Sequence, residues 1–294
     1  MQECVGIIGA GRVGRTLNRL LFEESVHISI VIDLNLERAR NCLQPDQTSA
    51  VSAQLKDIPS ETTILFLAVP DDSLGTLSEE LSGSPFLSSE LVAAHCSGLF
   101  SSDVIGALRN RLLNVCSFHP CCSITDGFEG DLKDIYIAIE GDEAGCKRLE
   151  SVALLLNSKP FRIRKKDKIK YHAACVLASN YLVSLMDLAE NVFPADISNT
   201  CNRQQILYPL VLGTLKNIQE RGTVEALTGP ISRGDFHTVK HHIESLRKHP
   251  DILSAYVVLG QHTLKLARRL NPDLEGLEAI QTLFEKMEME MDCE

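Results

Sequence analysis

The first fourteen residues restrict the fold more than any other segment. An apolar run, Cys4 to Ile8, leads straight into Gly9-Ala10-Gly11-Arg12-Val13-Gly14, and helix-forming residues continue to Phe22. In the order strand, glycine turn, helix, each glycine has its own steric task. Gly9 permits the tight turn, Gly11 lets a pyrophosphate approach the backbone, and Gly14 lets the helix pack close to the sheet. The helix N-terminus leaves N–H groups unpaired and carries a partial positive charge, which suits phosphate. Gly9, Gly11, Arg12, Val13 and Gly14 are therefore the first expected cofactor contacts, and the expected ligand is a dinucleotide.

A second apolar run, Ile28 to Ile32, ends at Asp33, nineteen residues after Gly14. A carboxylate there can accept hydrogen bonds from ribose hydroxyls. In another α/β protein it would simply cap the next helix. Asp33 favours NAD because it repels a 2′-phosphate, while Arg12 and Arg38 can attract one, so NAD and NADP both stand.

The first part of the chain alternates strand and helix patterns, as a parallel sheet requires. The expected strands are Val5–Ile8, Ile28–Ile32, Thr63–Val69, Leu91–His95, Val115–Phe118, Ile135–Ile139 and Phe161–Ile163. Most are continuous apolar runs, so helices should cover both faces. The helix patterns are Val13–Phe22, Leu36–Cys42, Ser73–Leu81, Ser102–Leu108 and Ala144–Leu156.

Near Lys168 the texture changes and strand signals stop. Ile169–Val192 reads as one long helix, apolar nearly all round and hence central to its domain. Further helices are expected at Gln204–Arg221, Phe236–Arg247, Ile252–Leu270 and Leu274–Met287. The fold class is α/β: a mostly parallel sheet domain over 1–165, then an all-helical domain over 166–294 for substrate and dimerisation.

Composition narrows the function classes. A net charge of −10 argues against nucleic acid as a partner. The N-terminus lacks a basic leader, and no apolar run was expected to reach the roughly 20 residues of a membrane span. Several of the ten cysteines sit inside apolar elements, which points to a reduced, cytoplasmic protein.

Ligands of open α/β sheets bind beyond the carboxyl ends of the strands. There the chain carries Val69-Pro70-Asp71-Asp72, His95-Cys96-Ser97-Gly98 and His119-Pro120. Val69, Pro70 and His95 are expected beside the cofactor. Imidazole suits proton transfer near neutrality, making His119 a catalytic candidate alongside Ser97; alternatively the two histidines only shape their turns. Cys116, His119, Cys121 and Cys122 lack zinc spacing, and His237 and His241 lack an accompanying Glu, so no metal is expected. On the long helix, His172 and Ser179 lie seven apart and share a face, with Asn180 about 80° away. These polar groups either satisfy one another internally or line a cleft. Leu227-Thr228-Gly229-Pro230 through Arg233-Gly234-Asp235 forms a loop in which Asp235 caps a helix and Arg233 is free to grip an anion.

Together these segments cover most of the chain and resemble the Rossmann-like proteins with a C-terminal helical domain of unknown function. That group is similar in architecture to pyrroline-5-carboxylate reductase, ketopantoate reductase and the β-hydroxyacid dehydrogenases. The resemblance implies NAD(P) in the first domain, a helical domain closing the cleft, and a homodimer formed through it. β-Hydroxyacid dehydrogenases place a catalytic Lys four residues before an Asn. With Asn180 as that Asn, the Lys position holds Val176. Either His172 supplies the proton, or the chemistry differs, or there is none.

The expected reaction is hydride transfer between a nicotinamide and a small carbonyl, hydroxy-acid or imine substrate. His172 or His119 would trade the proton. Asn180 and Ser97 would orient the substrate, and Arg233 and Ser179 would bind it. The alternative is a non-catalytic NAD(P)-binding sensor or partner-binding protein.

Overall fold

A computed structural model describes residues 3–85, 87–111, 113–194 and 202–291. The chain divides into two compact units, Met1–Tyr181 and Leu182–Glu294.

In the first unit, eight strands form one sheet of order β3-β2-β1-β4-β5-β6-β7-β8. They are β1 (Cys4–Ile8), β2 (His27–Ile32), β3 (Ala50–Ser52), β4 (Ile64–Leu67), β5 (Val92–His95), β6 (Asn114–Pro120), β7 (Tyr136–Gly141) and β8 (Lys159–Arg162). The helices between them are α1 (Arg12–Glu23), α2 (Leu36–Arg40), α3 (Leu74–Ser82) and α4 (Glu143–Leu155). Ser102–Arg111 is 3₁₀-helical. Strand order reverses at β1: the chain first builds outward to β2 and β3, then returns to place β4 on the other side. The glycine turn leaves the sheet at this switch point.

Pairings are parallel except β6–β7, which is antiparallel. The connection from Pro120 to Tyr136 contains no crossover helix, and only a parallel pair would need one. The apolar runs are buried on alternating sides, as pleating requires. Ile7, Phe66 and Phe118 face one core with Leu17, Leu21 and Leu149. Leu65, Leu67 and Val115 face the other with Leu74, Leu81 and Leu108. β3 was not among the expected strands: at three residues it is too short to carry an alternation signal.

The helices that follow are α5 (Lys168–Ala178), α6 (Asn180–Val192), α7 (Arg203–Glu225), α8 (Phe236–Leu246), α9 (Pro250–Leu270) and α10 (Leu277–Met291). The core of the second unit lies among α8, α9 and α10. Leu253, Val257, Leu264 and Ala267 stripe α9 and meet Ile243, Ile280 and Phe284. Asp235 caps α8 as expected, accepting from Thr238 N at 3.0 Å.

The long-helix expectation needs two corrections. Ser179 (φ −119°, ψ −66°) is the C-cap of α5 and separates it from α6. Burial is also absent: Lys168 is the only buried side chain of α5, and α6 has none. Val183 is 70% exposed and Ile169 67%. Nor does the length expectation hold, because Lys165–Val192 spans 28 residues and is apolar enough to cross a membrane on length and composition. Its first turn is instead fixed inside the sheet unit, through Lys168.

Candidate functional site

The glycine turn has the geometry its spacing implied. Gly9 has φ +97°, and a Cβ there would lie 2.4 Å from the Ala68 carbonyl oxygen. A Cβ on Gly14 would lie 1.9 Å from the Gly9 oxygen. Both positions are closed by the protein's own backbone. Gly11 differs, since a Cβ there would meet nothing within 4 Å. Of the three glycines of the turn, only Gly11 faces open space, as a residue kept small for a ligand should. Gly11 also caps α1 without a side-chain hydrogen bond, and the first turn holds no acid. Exposed Arg12 and half-buried Val13 follow. These residues fit a dinucleotide pyrophosphate.

Asp33, expected beside a ribose, hydrogen-bonds the chain's own backbone. Its Oδ2 accepts from Ala10 N at 2.8 Å, and its Oδ1 accepts from Asn35 N at 2.9 Å. The carboxylate therefore ties the glycine turn to the end of β2. Val69 and Pro70 end the β4 segment, and Asp71–Ser73 follows as a single 3₁₀ turn.

Beyond the carboxyl ends of β5 and β6, one cluster joins residues from four segments. Ser97 Oγ donates to Asp71 Oδ2 at 2.9 Å and accepts from Leu99 N and Phe100 N, both at 3.2 Å. The fully buried His95 accepts from Ser97 N through Nδ1 at 3.2 Å. Its ring proton then sits on Nε2, which has no hydrogen-bond partner among the described residues. His119 Nδ1 pairs with Tyr171 Oη at 2.9 Å. The His119 and His172 rings meet edge to face, 6.3 Å apart. Both press on Gly98: a Cβ there would lie 2.6 Å from His172 Cδ2 and 2.7 Å from His119 Nε2. No residue but glycine leaves the two imidazoles room to converge.

Beneath this cluster lies Lys168, 1% exposed. Its Nζ donates to Ser97 O at 2.8 Å and to Ser117 Oγ at 2.9 Å. Burial lowers this lysine to about 8, with Glu140, Cys96 and Asp71 opposing the shift. The charge acts in turn on the histidines. His95 is lowered to about 3, first by burial and then by Lys168. His119 is lowered to about 4 by burial, Lys168 and His172. Both rings are neutral near pH 7. Burial raises the Tyr171 hydroxyl, so it stays protonated and can donate to His119 Nδ1. His119 then presents Nε2–H toward Gly98 and His172.

The fold thus brings together Ser97, His95, His119 and His172 of the expected site residues. Ser179 and Asn180 lie at the α5–α6 break, both exposed. The expected face-sharing of His172, Ser179 and Asn180 assumed one continuous helix, whereas Ser179 caps α5 and Asn180 begins α6. Arg233 belongs to the other unit, exposed in the turn Ile231–Arg233. Among the described residues, no group of three His, Cys, Asp or Glu side chains converges to hold a metal ion; His241 turns to Glu244 at 3.4 Å. The sequence reading missed Lys168, Asp71 and Tyr171 as site members. The signal for Lys168 was a lysine at the head of an apolar helix, a position where charge needs a partner.

Comparison with known proteins agrees with this architecture. Residues 2–120 match the Rossmann-like domain family, and residues 135–263 match the Domain of unknown function (DUF2520). No curated protein matches the chain. Among solved structures, a Bacteroides fragilis protein with a provisional NADP oxidoreductase assignment is similar at 20% identity and a TM-score of 0.75. That match covers 89% of this chain and 98% of the other. Protein TM1727 from Thermotoga maritima is similar at 26% identity and a TM-score of 0.70, covering 90% and 98%. An imine reductase from Pseudomonas sp. shares the fold at 13% identity and a TM-score of 0.61, covering 91% and 98%. The chain therefore carries a Rossmann-like domain followed by a DUF2520 domain.

Proposed function

We propose that the protein is an NAD(P)-dependent oxidoreductase acting on a small carbonyl, hydroxy-acid or imine compound. The observation that carries this reading is the pairing of two features on one sheet. Gly11 opens onto free space at the switch point, and two imidazoles converge over Gly98 beyond the neighbouring strand ends. Solved proteins named for NADP and for imine reduction share the architecture. A bound nicotinamide would supply the hydride.

Gly9, Gly11, Arg12, Val13 and Gly14 would hold the pyrophosphate at the α1 N-terminus, with Val69, Pro70 and His95 near the nicotinamide. The position of Asp33 suits a ribose diol, and Arg12 and Arg38 suit a 2′-phosphate, so NAD and NADP both remain part of the proposal. Near pH 7 His119 serves as a neutral hydrogen-bond donor, not as a cation. His172 is then the side chain assigned to carry the proton to or from the substrate heteroatom. Ser97, held by Asp71, and Asn180 orient the substrate, and Ser179 is a proposed binding residue.

One observation favours a second reading, binding without catalysis: Val176 stands where related dehydrogenases have lysine, and Lys168 is buried with its hydrogen bonds engaged. The two readings separate in one assay, oxidation of NADPH or NADH with small keto acids, ketones and cyclic imines. Turnover that falls about 100-fold or more in a His172→Ala, His119→Ala double variant supports the enzyme. Unchanged turnover in that variant removes the residue assignment. Cofactor binding with no turnover supports the second reading.

We further propose a homodimer. On α6 and α7, Val183, Tyr208 and Leu210 are each more than half exposed, and α7 has no buried residue. A second copy covering these faces would explain apolar helices that their own unit leaves bare. Sedimentation as a monomer at all concentrations would refute it.

A further inference from the structure

Two thiols meet beside the imidazole cluster. Cys121 follows the last residue of β6, and its N–H is anchored to Tyr136 O at 2.8 Å. Cys175 lies on α5, one turn beyond Tyr171. Their sulfurs are 3.5 Å apart. A disulfide needs about 2.05 Å, so closing the pair requires an approach of roughly 1.5 Å. Cys121 is exposed and Cys175 partly so.

The chain contains its own control for this geometry. Cys116 and Cys146 stand at almost the same separation, 3.7 Å, yet both are buried. Proximity is common to the two pairs, and access belongs only to Cys121–Cys175. Exposure governs which thiols react with an external oxidant.

The accessible pair also touches the site. The Cys121 and Cys175 thiols flank the Tyr171 hydroxyl, which pairs with His119 Nδ1. Tyr171 and Cys175 ride on one helix, and His119 and Cys121 on one strand end. Joining the sulfurs ties α5 covalently to that strand end, where the Tyr171–His119 hydrogen bond is made.

We propose that Cys121 and Cys175 form a reversible disulfide that alters the Tyr171–His119 contact. The oxidant is a small-molecule disulfide. The Cys121 thiolate attacks one of its sulfurs, forms a mixed disulfide and releases the first thiol. The Cys175 thiolate then attacks Cys121 Sγ and releases the second. The protein loses two protons and two electrons, which reduce the oxidant to two thiols. The sulfur pairing is independent of the hydride-transfer reading, because its readout is the state of the thiols.

The test treats the full-length reduced protein with excess glutathione disulfide, blocks remaining thiols by alkylation, and maps peptides by mass. The expected result joins the Cys121 and Cys175 peptides, cleaved again by dithiothreitol, with Cys116 and Cys146 recovered as alkylated thiols. A Cys175→Ser variant should stop at the glutathione adduct on Cys121. Joining of Cys121 to Cys122, or full alkylation of both Cys121 and Cys175, would overturn the pairing. The His119 ring resonances, followed by NMR, should move on oxidation of the wild type and return when dithiothreitol is added. Unmoved resonances in an oxidised wild type would overturn the coupling to the site.

Discussion

β4 and α6 are both dominated by apolar residues, and the molecule treats them in opposite ways. Ile64, Leu65, Phe66 and Leu67 have no exposure, because α1 and α4 cover one sheet face and α3 the other. Val183 of α6 remains 70% exposed and Leu210 of α7 67%. Apolarity in the sheet is satisfied by neighbours that the chain itself supplies through short crossovers. On α6 and α7 the intrachain neighbours do not suffice. Hydrophobic patterning tells that a face needs covering; it does not tell which molecule covers it.

The largest effect is expected where the sheet unit is most tightly closed. Gly14→Ala would put a methyl 1.9 Å from the Gly9 oxygen, and neither backbone segment can yield without opening the turn. The expected cost is about 3 kcal/mol or more in urea unfolding. A loss below about 1 kcal/mol would show that the turn is looser than these contacts imply.

A smaller effect concerns acid. His95 and His119 are held at about 3 and about 4, below the ordinary 6.5. Their neutral burial is fully compatible with the fold above pH 6.5. Below it the unfolded chain binds protons that the folded chain refuses, so stability falls as pH drops from 6.5 toward 4. Each ring contributes at most about 1.4 kcal/mol per pH unit in that window. His119→Gln should remove one ring's share of the slope, measured by urea unfolding at stepped pH. An unchanged slope would mean that His119 is not kept neutral. No such loss is expected on the bare faces of α6 and α7, which bury no histidine.

The smallest stability effect is expected on those faces. Val183→Asp should change intrinsic stability by less than about 0.5 kcal/mol, because the side chain is mostly in water. The same substitution should convert a dimer to a monomer in sedimentation. A large drop in stability without a change in mass would place Val183 in an intrachain core and erase the contrast drawn above.

Local signals explain what the sequence made legible. The glycine turn, seven of the eight strands and the cores of α8 to α10 depend on short-range period and spacing, which a sequence displays directly. What it concealed depends on distant partners. Lys168 marked only a change of texture in the sequence, yet its burial is set by Ser97 O and Ser117 Oγ, residues far upstream. Tyr171 gained its role from His119 across the β6–α5 interface. The break at Ser179 carries no Gly or Pro, so the pattern ran through it unmarked. Arg233 was legible as a loop arginine beside a capped helix, which local turn chemistry dictates.

The glycine turn also supplies the most direct test of the central claim. Gly11 and Gly14 look equivalent in the fingerprint, but only Gly14 is closed by the protein itself. Gly11→Ala should leave urea unfolding unchanged within about 0.5 kcal/mol. Purified protein titrated against NADPH and NADH should enhance the nicotinamide's own emission, with little background because the chain has no Trp. The account predicts binding to the wild type and at least about tenfold weaker binding to Gly11→Ala. Equal binding by both proteins, or binding of neither nucleotide to the wild type, would contradict it.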